Sequence, residues 1–152
     1  MACAFQRDKE YSRYRSVIKL MKEEALGIDC PVTCITCCRC VKSCPEDALS
    51  LTSKGLIKLD SEKCTGCRTC ERVCPVGVIE FDEAPLFCTN CGKCVKACNL
   101  RALSLAECAD LPVPPAEKDV ESLTPVAKRY RWVLGRATEL PWVKEEDVRV
   151  YR

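Results

Sequence analysis

An α+β fold assembled from small repeated modules is what this sequence predicts, and three observations predict it. The pattern C-x2-C-x2-C-x3-C occurs three times, as Cys34-Cys37-Cys40-Cys44, Cys64-Cys67-Cys70-Cys74 and Cys88-Cys91-Cys94-Cys98. Each fourth cysteine leads into a matching stub that ends in strand-like alternation: Ala48-Leu49-Ser50-Leu51, Val78-Ile79-Glu80-Phe81 and Ala102-Leu103-Ser104-Leu105. The hydrophobic fraction of 47% counts 16 cysteines, and what remains is thin for a 152-residue core. Such a scaffold needs staples, either disulfides or metal.

Residues 1–29 come first and hold Cys3 and a segment of double meaning. Tyr14, Val17, Ile18 and Met21 could share a helix face, while Val17-Ile18 reads as strand. Residues 30–108 carry the cysteine repeats. Residues 55–60 read as a strand returning against the first stub, closed by a turn at Asp60, and residues 71–73 and 95–97 read as short helix starts. Each unit is therefore strand, ligand loop, short helix, strand. Residues 109–152 change character, with Pro112, Pro114, Pro115, Pro125 and Pro141 punctuating a charged segment. Its apolar anchors are Tyr130, Trp132, Val133, Leu134 and Trp142. They either fold back over the cysteine domain or lie in grooves on a partner; the proline-stiffened composition favours an extended partner-binding arm.

Composition narrows the chemistry. There is no histidine, which removes Cys2His2 zinc fingers, H-E-x-x-H metalloproteases and histidine-based triads. Lys+Arg number 24 against 22 Asp+Glu, so no basic stripe exists to neutralise phosphates and nucleic acid is not an expected partner. No apolar run approaches the length of a membrane span. No secretory-type leader is evident, so a reducing, cytoplasmic location and a metal framework are expected rather than disulfides.

Thiolates spaced C-x2-C-x2-C-x3-C are the ligands with which bacterial-type ferredoxins hold cubane [4Fe–4S] clusters. Three sulfurs of a tight loop bind one cube, and the fourth cysteine points to the neighbouring one. Motifs one and two then exchange fourth ligands: Cys34, Cys37 and Cys40 with Cys74 for cluster 1, and Cys64, Cys67 and Cys70 with Cys44 for cluster 2. Gly66 and Gly92 fit loops where backbone must approach sulfide, and Arg39, Arg68, Arg72, Lys93 and Lys96 lie in or beside the runs. Motif three lacks an obvious crossover partner. Cys98 could complete its own cube, although Asn99 stands where Pro45 and Pro75 follow the other two motifs.

The span from Cys3 to about Leu105 resembles the four-cluster electron-transfer subunits of molybdenum and tungsten oxidoreductases and of anaerobic carbon monoxide and hydrogen enzymes. The resemblance rests on the three motifs and on Cys3 followed by Ser12-Arg13 and Val17-Ile18. It implies nested ferredoxin modules, one of them degenerate, with residues 1–29 the remnant of a first module, 30–108 the [4Fe–4S] domain and 109–152 the arm. It also implies that Cys3 is the fourth ligand of cluster 3 beside Cys88, Cys91 and Cys94, with Cys98 as the alternative. A three-cluster version is most similar to the small iron–sulfur subunits of class II, tungsten-containing benzoyl-coenzyme A reductases. The electron-transfer subunits of tungsten aldehyde oxidoreductases are near neighbours. The implied function is a non-catalytic relay of electrons between a further electron-transfer protein and a catalytic, tungstopterin-type subunit.

Three rivals fit less well. Cys30-x3-Cys34-x2-Cys37 has the radical S-adenosylmethionine spacing, but no barrel-sized sequence follows it. Structural zinc uses pairs of C-x2-C rather than triplets with a crossover fourth. An enzyme in its own right would need catalytic groups that are not evident here. Cys30, Cys38 and Cys108 are expected to be free thiols.

Overall fold

The computed structural model describes residues 2–12, 14–81, 84–105 and 118–141. Two antiparallel hairpins form its β-structure: β1 (Lys19–Glu23) with β2 (Ile28–Val32), and β3 (Leu49–Leu51) with β4 (Ile57–Leu59). A 3₁₀ turn, Glu24–Leu26, closes the first, ending at Gly27 in the left-handed conformation. The strand alternative for residues 14–21 therefore holds. Met21 faces inward at 2% exposure while Tyr14 stays out at 71%.

Each hairpin feeds a cysteine loop and a short helix. β2 leads to α2 (Arg39–Lys42), and β4 leads to α3 (Thr69–Val73). At the end of β4, Asp60 makes the expected turn, its Oδ1 accepting from the Glu62 N–H at 3.1 Å. A third loop precedes α4 (Lys93–Ala97), and the amino-terminal helix is α1 (Ala2–Asp8). Helices pair in two sets: α2 packs on α3, and α1 on α4. Among the described residues, no helix is long and apolar enough to cross a membrane.

Of the three stubs, the first alone becomes a ladder strand, β3. Val78 and Ile79 are buried, yet their segment makes just an isolated bridge, Phe81 to Pro85. Pro85 has no N–H to give, so pairing stops there. Residues 102–105 form no strand, and Leu105 is 69% exposed. β3 has a return strand across the Gly55 turn, and the other two stubs lack one.

The extended arm is corrected over residues 118–141. A 3₁₀ turn (Lys118–Ser122) precedes α5 (Pro125–Leu134), and a second 3₁₀ turn follows at Ala137–Glu139. α5 starts as helices are expected to: the Thr124 hydroxyl accepts from the Ala127 N–H, and Pro125 sits in the first turn. It then folds back onto β1 and β2. Val133, Leu134 and Ala137 join Met21, Ile28, Val76 and Val78 in one core, and the Tyr130 hydroxyl donates to the Lys22 carbonyl at 2.7 Å. The physical reason is a stripe at i, i+3, i+4 and i+7 — Tyr130, Val133, Leu134, Ala137 — which is a helix's buried face rather than a set of separate anchors. Trp142 and the prolines at 112, 114 and 115 lie outside the described residues.

Gly77 sets where α5 lies. Its φ is +63°, and a Cβ there would run into the Pro125 carbonyl oxygen and stand 2.9 Å from Lys128 Cβ. Equivalent positions after the first and third motifs hold Asp47 and Arg101, also left-handed, so the conformation alone does not demand glycine. Close helix approach does. Gly77→Ala is expected to destabilise the fold by about 1–3 kcal/mol from overcrowding, in addition to left-handed strain. Gly55→Ala, with φ +72° and nothing within 4 Å, should cost the strain alone. Anaerobic urea unfolding of the two variants, side by side, checks the difference.

Candidate metal centres

The three loops share one backbone design. In each motif the residue two after the first cysteine and the residue just after the second are left-handed: Thr36 and Cys38, Gly66 and Arg68, Asn90 and Gly92. Four of those six carry a side chain there, at a cost of roughly 1–2 kcal/mol each. Strain of this kind persists where a site needs the backbone turned. Here the turn aims N–H groups at sulfur. Thr36 N–H donates to Cys34 Sγ at 3.4 Å, and Asn90 N–H to Cys88 Sγ at 3.4 Å. Cys38, Arg68 and Gly92 then cap α2, α3 and α4, so each third cysteine sits in the first turn of a helix. Cys74 and Cys98 form the C-caps of α3 and α4, and Cys44 follows the C-cap of α2.

Crossing over brings the thiols into three groups. Cys34, Cys37 and Cys40 lie together with Cys74, close enough that each of the three feels the charge of Cys74. Cys64, Cys67 and Cys70 share the wall of a small cavity, about 20 Å³, with Cys44, beneath Phe81 and Pro85. Cys88, Cys91 and Cys94 share a larger cavity, about 310 Å³, with Cys3, whose charge also reaches Cys88. Cys34 lines that cavity too and feels Cys88, so the first and third groups adjoin.

Burial decides their state. It pushes the Cys34 thiol up to about 12, with neighbouring thiols adding to the rise and the Thr36 N–H opposing it. Cys70 is pushed up to about 11 by the same desolvation, and Cys40, Cys37 and Cys88 are raised as well. Crowded sulfur of this kind stays protonated without cations and ionises when iron supplies the compensating charge. Cys67 and Cys91 are exposed, in contrast to buried Cys40, Cys70 and Cys74. Hydrogen bonds from Thr69 hold Cys67 below its ordinary value. Among the described residues, no three such groups crowd around a single-ion position. A cube spreads its thiolates over four separate irons, so the donor set and the N–H···S bonds fit a cluster.

Cys98 is placed differently. Its Sγ accepts from the Ala102 N–H at 3.3 Å and faces a wider cavity, about 750 Å³, with Cys3, Cys94, Lys19 and Arg129. It is absent from the lining of the cavity that holds Cys88 and Cys91. Cys30 is half-buried on β2 and raised by burial, Cys38 donates to the Thr36 carbonyl at 3.2 Å, and Cys108 lies outside the described residues. All 15 described cysteines are free of disulfides.

Positive charge is not concentrated on the ligand loops, where the sequence suggests it. Arg68 and Arg72 lie on the surface, paired to Glu71 at 3.8 Å and to the Thr69 hydroxyl at 3.0 Å. The buried cations are Lys19 of β1 and Lys128 and Arg129 of α5. Arg129 donates to the Gly77 carbonyl at 2.7 Å and to Glu80 at 2.6 Å; Lys19 reaches Glu80 at 2.7 Å. Burial opposes ionisation of Glu80, but these two partners hold its carboxyl below the usual range. The sequence signal for the α5 pair is the helical stripe, which turns both cations inward.

Comparison with known proteins agrees with this chemistry. Residues 28–81 match the 4Fe-4S dicluster domain, and residues 88–101 match a 4Fe-4S binding domain. The protein is 33% identical over 84 residues to the B subunit of the anaerobic dimethyl sulfoxide reductase of Escherichia coli (strain K12), covering 47% of its own length and 41% of that subunit. It is 30% identical over 110 residues to the ferredoxin MJ0265 of Methanocaldococcus jannaschii, covering 68% and 64%. The protein UacF of Escherichia coli (strain K12) is 32% identical over 154 residues, covering 91% of this sequence and 22% of UacF. The sequence thus spans less than two thirds of the length of each of these relatives. It carries [4Fe–4S] ferredoxin domains and is homologous to the iron–sulfur subunit of the anaerobic dimethyl sulfoxide reductases.

Proposed function

We propose that this protein is a non-catalytic relay, carrying single electrons through three [4Fe–4S] clusters to or from a catalytic oxidoreductase subunit. The observation that carries the reading is the threefold loop design, each loop joined by a thiol from elsewhere in the sequence. We assign Cys34, Cys37, Cys40 and Cys74 to cluster 1, Cys64, Cys67, Cys70 and Cys44 to cluster 2, and Cys88, Cys91, Cys94 and Cys3 to cluster 3. Proximity within each group supports the assignment, and the packing of α1 on α4 beside that of α2 on α3 supports a nested pair of modules. Bound clusters supply one-electron redox chemistry. The polypeptide's part is to hold them adjacent, donate N–H groups to sulfur and keep water from the middle one.

The groups form a line, with cluster 2 at one end, cluster 1 in the middle and cluster 3 at the other. The exposed thiols, Cys67 and Cys91, belong to the two ends, and Cys40 and Cys74 to the centre. That suits entry at one end and exit at the other. The partner we propose is a tungstopterin-bearing catalytic subunit in an anaerobic, cytoplasmic complex, class II benzoyl-coenzyme A reductase first. A tungsten aldehyde oxidoreductase, or an anaerobic carbon monoxide, hydrogen or formate enzyme, is the alternative. A reductase subunit among the relatives supports an oxidoreductase as partner. Anaerobic purification from the native host tests this: the co-purifying subunit should contain tungsten, and a complex lacking it would exclude the tungsten readings.

Protein purified without oxygen should hold about twelve iron and twelve sulfide per polypeptide, as three cubes require. About eight would remove one cluster, and zinc in place of iron would remove the reading. Chelation should unfold the domain, because metal binding supplies folding free energy to a thin core; circular dichroism reads this.

The third cluster has its own test. Cys3→Ser is expected to lower iron toward about eight per polypeptide or change one cluster's spectrum, while Cys98→Ser retains all three. Iron analysis with electron paramagnetic resonance of both variants distinguishes them. The opposite pattern would assign Cys98 as the fourth ligand.

A further inference from the structure

Lys128 is the most deeply buried charged side chain described, 1% exposed against 8% for Lys19. Removing an ammonium from water is costly unless opposite charge or hydrogen bonds compensate it. Lys19 and Arg129 share a carboxylate, that of Glu80. Lys128 has no carboxylate in contact among the described residues. Its Nζ donates to two main-chain carbonyls at the end of α3, Glu71 at 3.0 Å and Arg72. The Glu71 carbonyl also accepts the Cys74 N–H, at 3.4 Å, so the ammonium rests on the turn that presents Cys74. Of the opposite charges acting on Lys128, that of Cys74 is the largest, ahead of Glu71 and Glu121.

We propose that Lys128 is the buried counter-charge of the centre formed by Cys34, Cys37, Cys40 and Cys74, and that it raises that centre's reduction potential relative to the other two. The proposal rests on the cluster assignment above. Four thiolates on an iron–sulfur core leave net negative charge, and one added electron makes it more negative by one. A fixed cation in a low-dielectric wall favours the reduced form, and so moves the potential upward. The repeat makes the effect specific. α2 and α4 end at equivalent cysteines, Cys44 and Cys98, and among the described residues neither end receives a buried ammonium. A lysine that merely capped α3 would not move a potential.

The experiment is a mediated redox titration of the full-length protein, purified anaerobically, followed by electron paramagnetic resonance. Lys128→Met and Lys128→Arg are compared with the unaltered protein. The expected result is that Lys128→Met shifts one of three potentials to more negative values at unchanged iron content, while Lys128→Arg leaves it near the original. Three unmoved potentials in Lys128→Met would overturn the proposal, as would an equal shift in both variants. If Lys128→Met loses iron, retention by Lys128→Arg supports a charge requirement and loss from both refutes it. Absence of cluster iron from the unaltered protein would instead sink the relay reading itself, so the two failures are distinguishable.

Discussion

Sulfur has to be ionised to bind iron, and buried sulfur resists ionisation until iron is there. Much else in this molecule follows from that mutual dependence. Cys34, Cys40 and Cys70 occupy interior positions where an ordinary domain would place leucine or valine, and burial pushes their thiols upward. N–H groups aimed at Cys34 and Cys88 lower the barrier to ionisation in part, at the expense of left-handed residues held under strain. Without cations these groups of thiols are a poor core, with neither a charge balance nor the packing of branched hydrocarbon.

The apolar core that does exist lies to one side and is shared with α5. Met21, Ile28 and Val32 from the first hairpin meet Val76 and Val78 after Cys74, and Val133, Leu134 and Ala137 cover them. α5 is thus both a lid on hydrocarbon and the carrier of two inward-facing cations. The fit depends on a missing side chain at Gly77, which lets the first turn of α5 approach the segment after Cys74. The Lys19–Glu80–Arg129 contacts fasten the same segment to β1 and α5 together.

The ligand loops were legible in the sequence because they are local: three cysteines and a turn fit within seven residues, and spacing alone dictates their geometry. The short helices α3 and α4 and the β3–β4 hairpin followed for the same reason. Strand pairing was less legible, since it belongs to two segments at once. Val78-Ile79 alternates as well as Leu49-Ser50-Leu51 does, but it meets Pro85 instead of a return strand. The C-terminal segment misled because its aromatics drew attention away from the 3–4 spacing of Tyr130, Val133, Leu134 and Ala137. Lys128 looked like any surface lysine in a mixed-charge stretch; only the direction of α5 shows that it points inward.

The pairing of α1 with α4 has a kinetic consequence. α2 and α3 are neighbours in sequence as well as in space, so their loop closes early. α1 must wait for a helix near residue 95, a separation about three times as long, which adds only about 1 kcal/mol of closure entropy. Equilibrium tolerates that easily; folding order does not ignore it, because distant contacts form late. The inner pair of helices can therefore be organised while the amino end is still searching. Cys3 then reaches its position last, and the loop at Cys88 spends the longest time open to solvent, oxygen and competing metals.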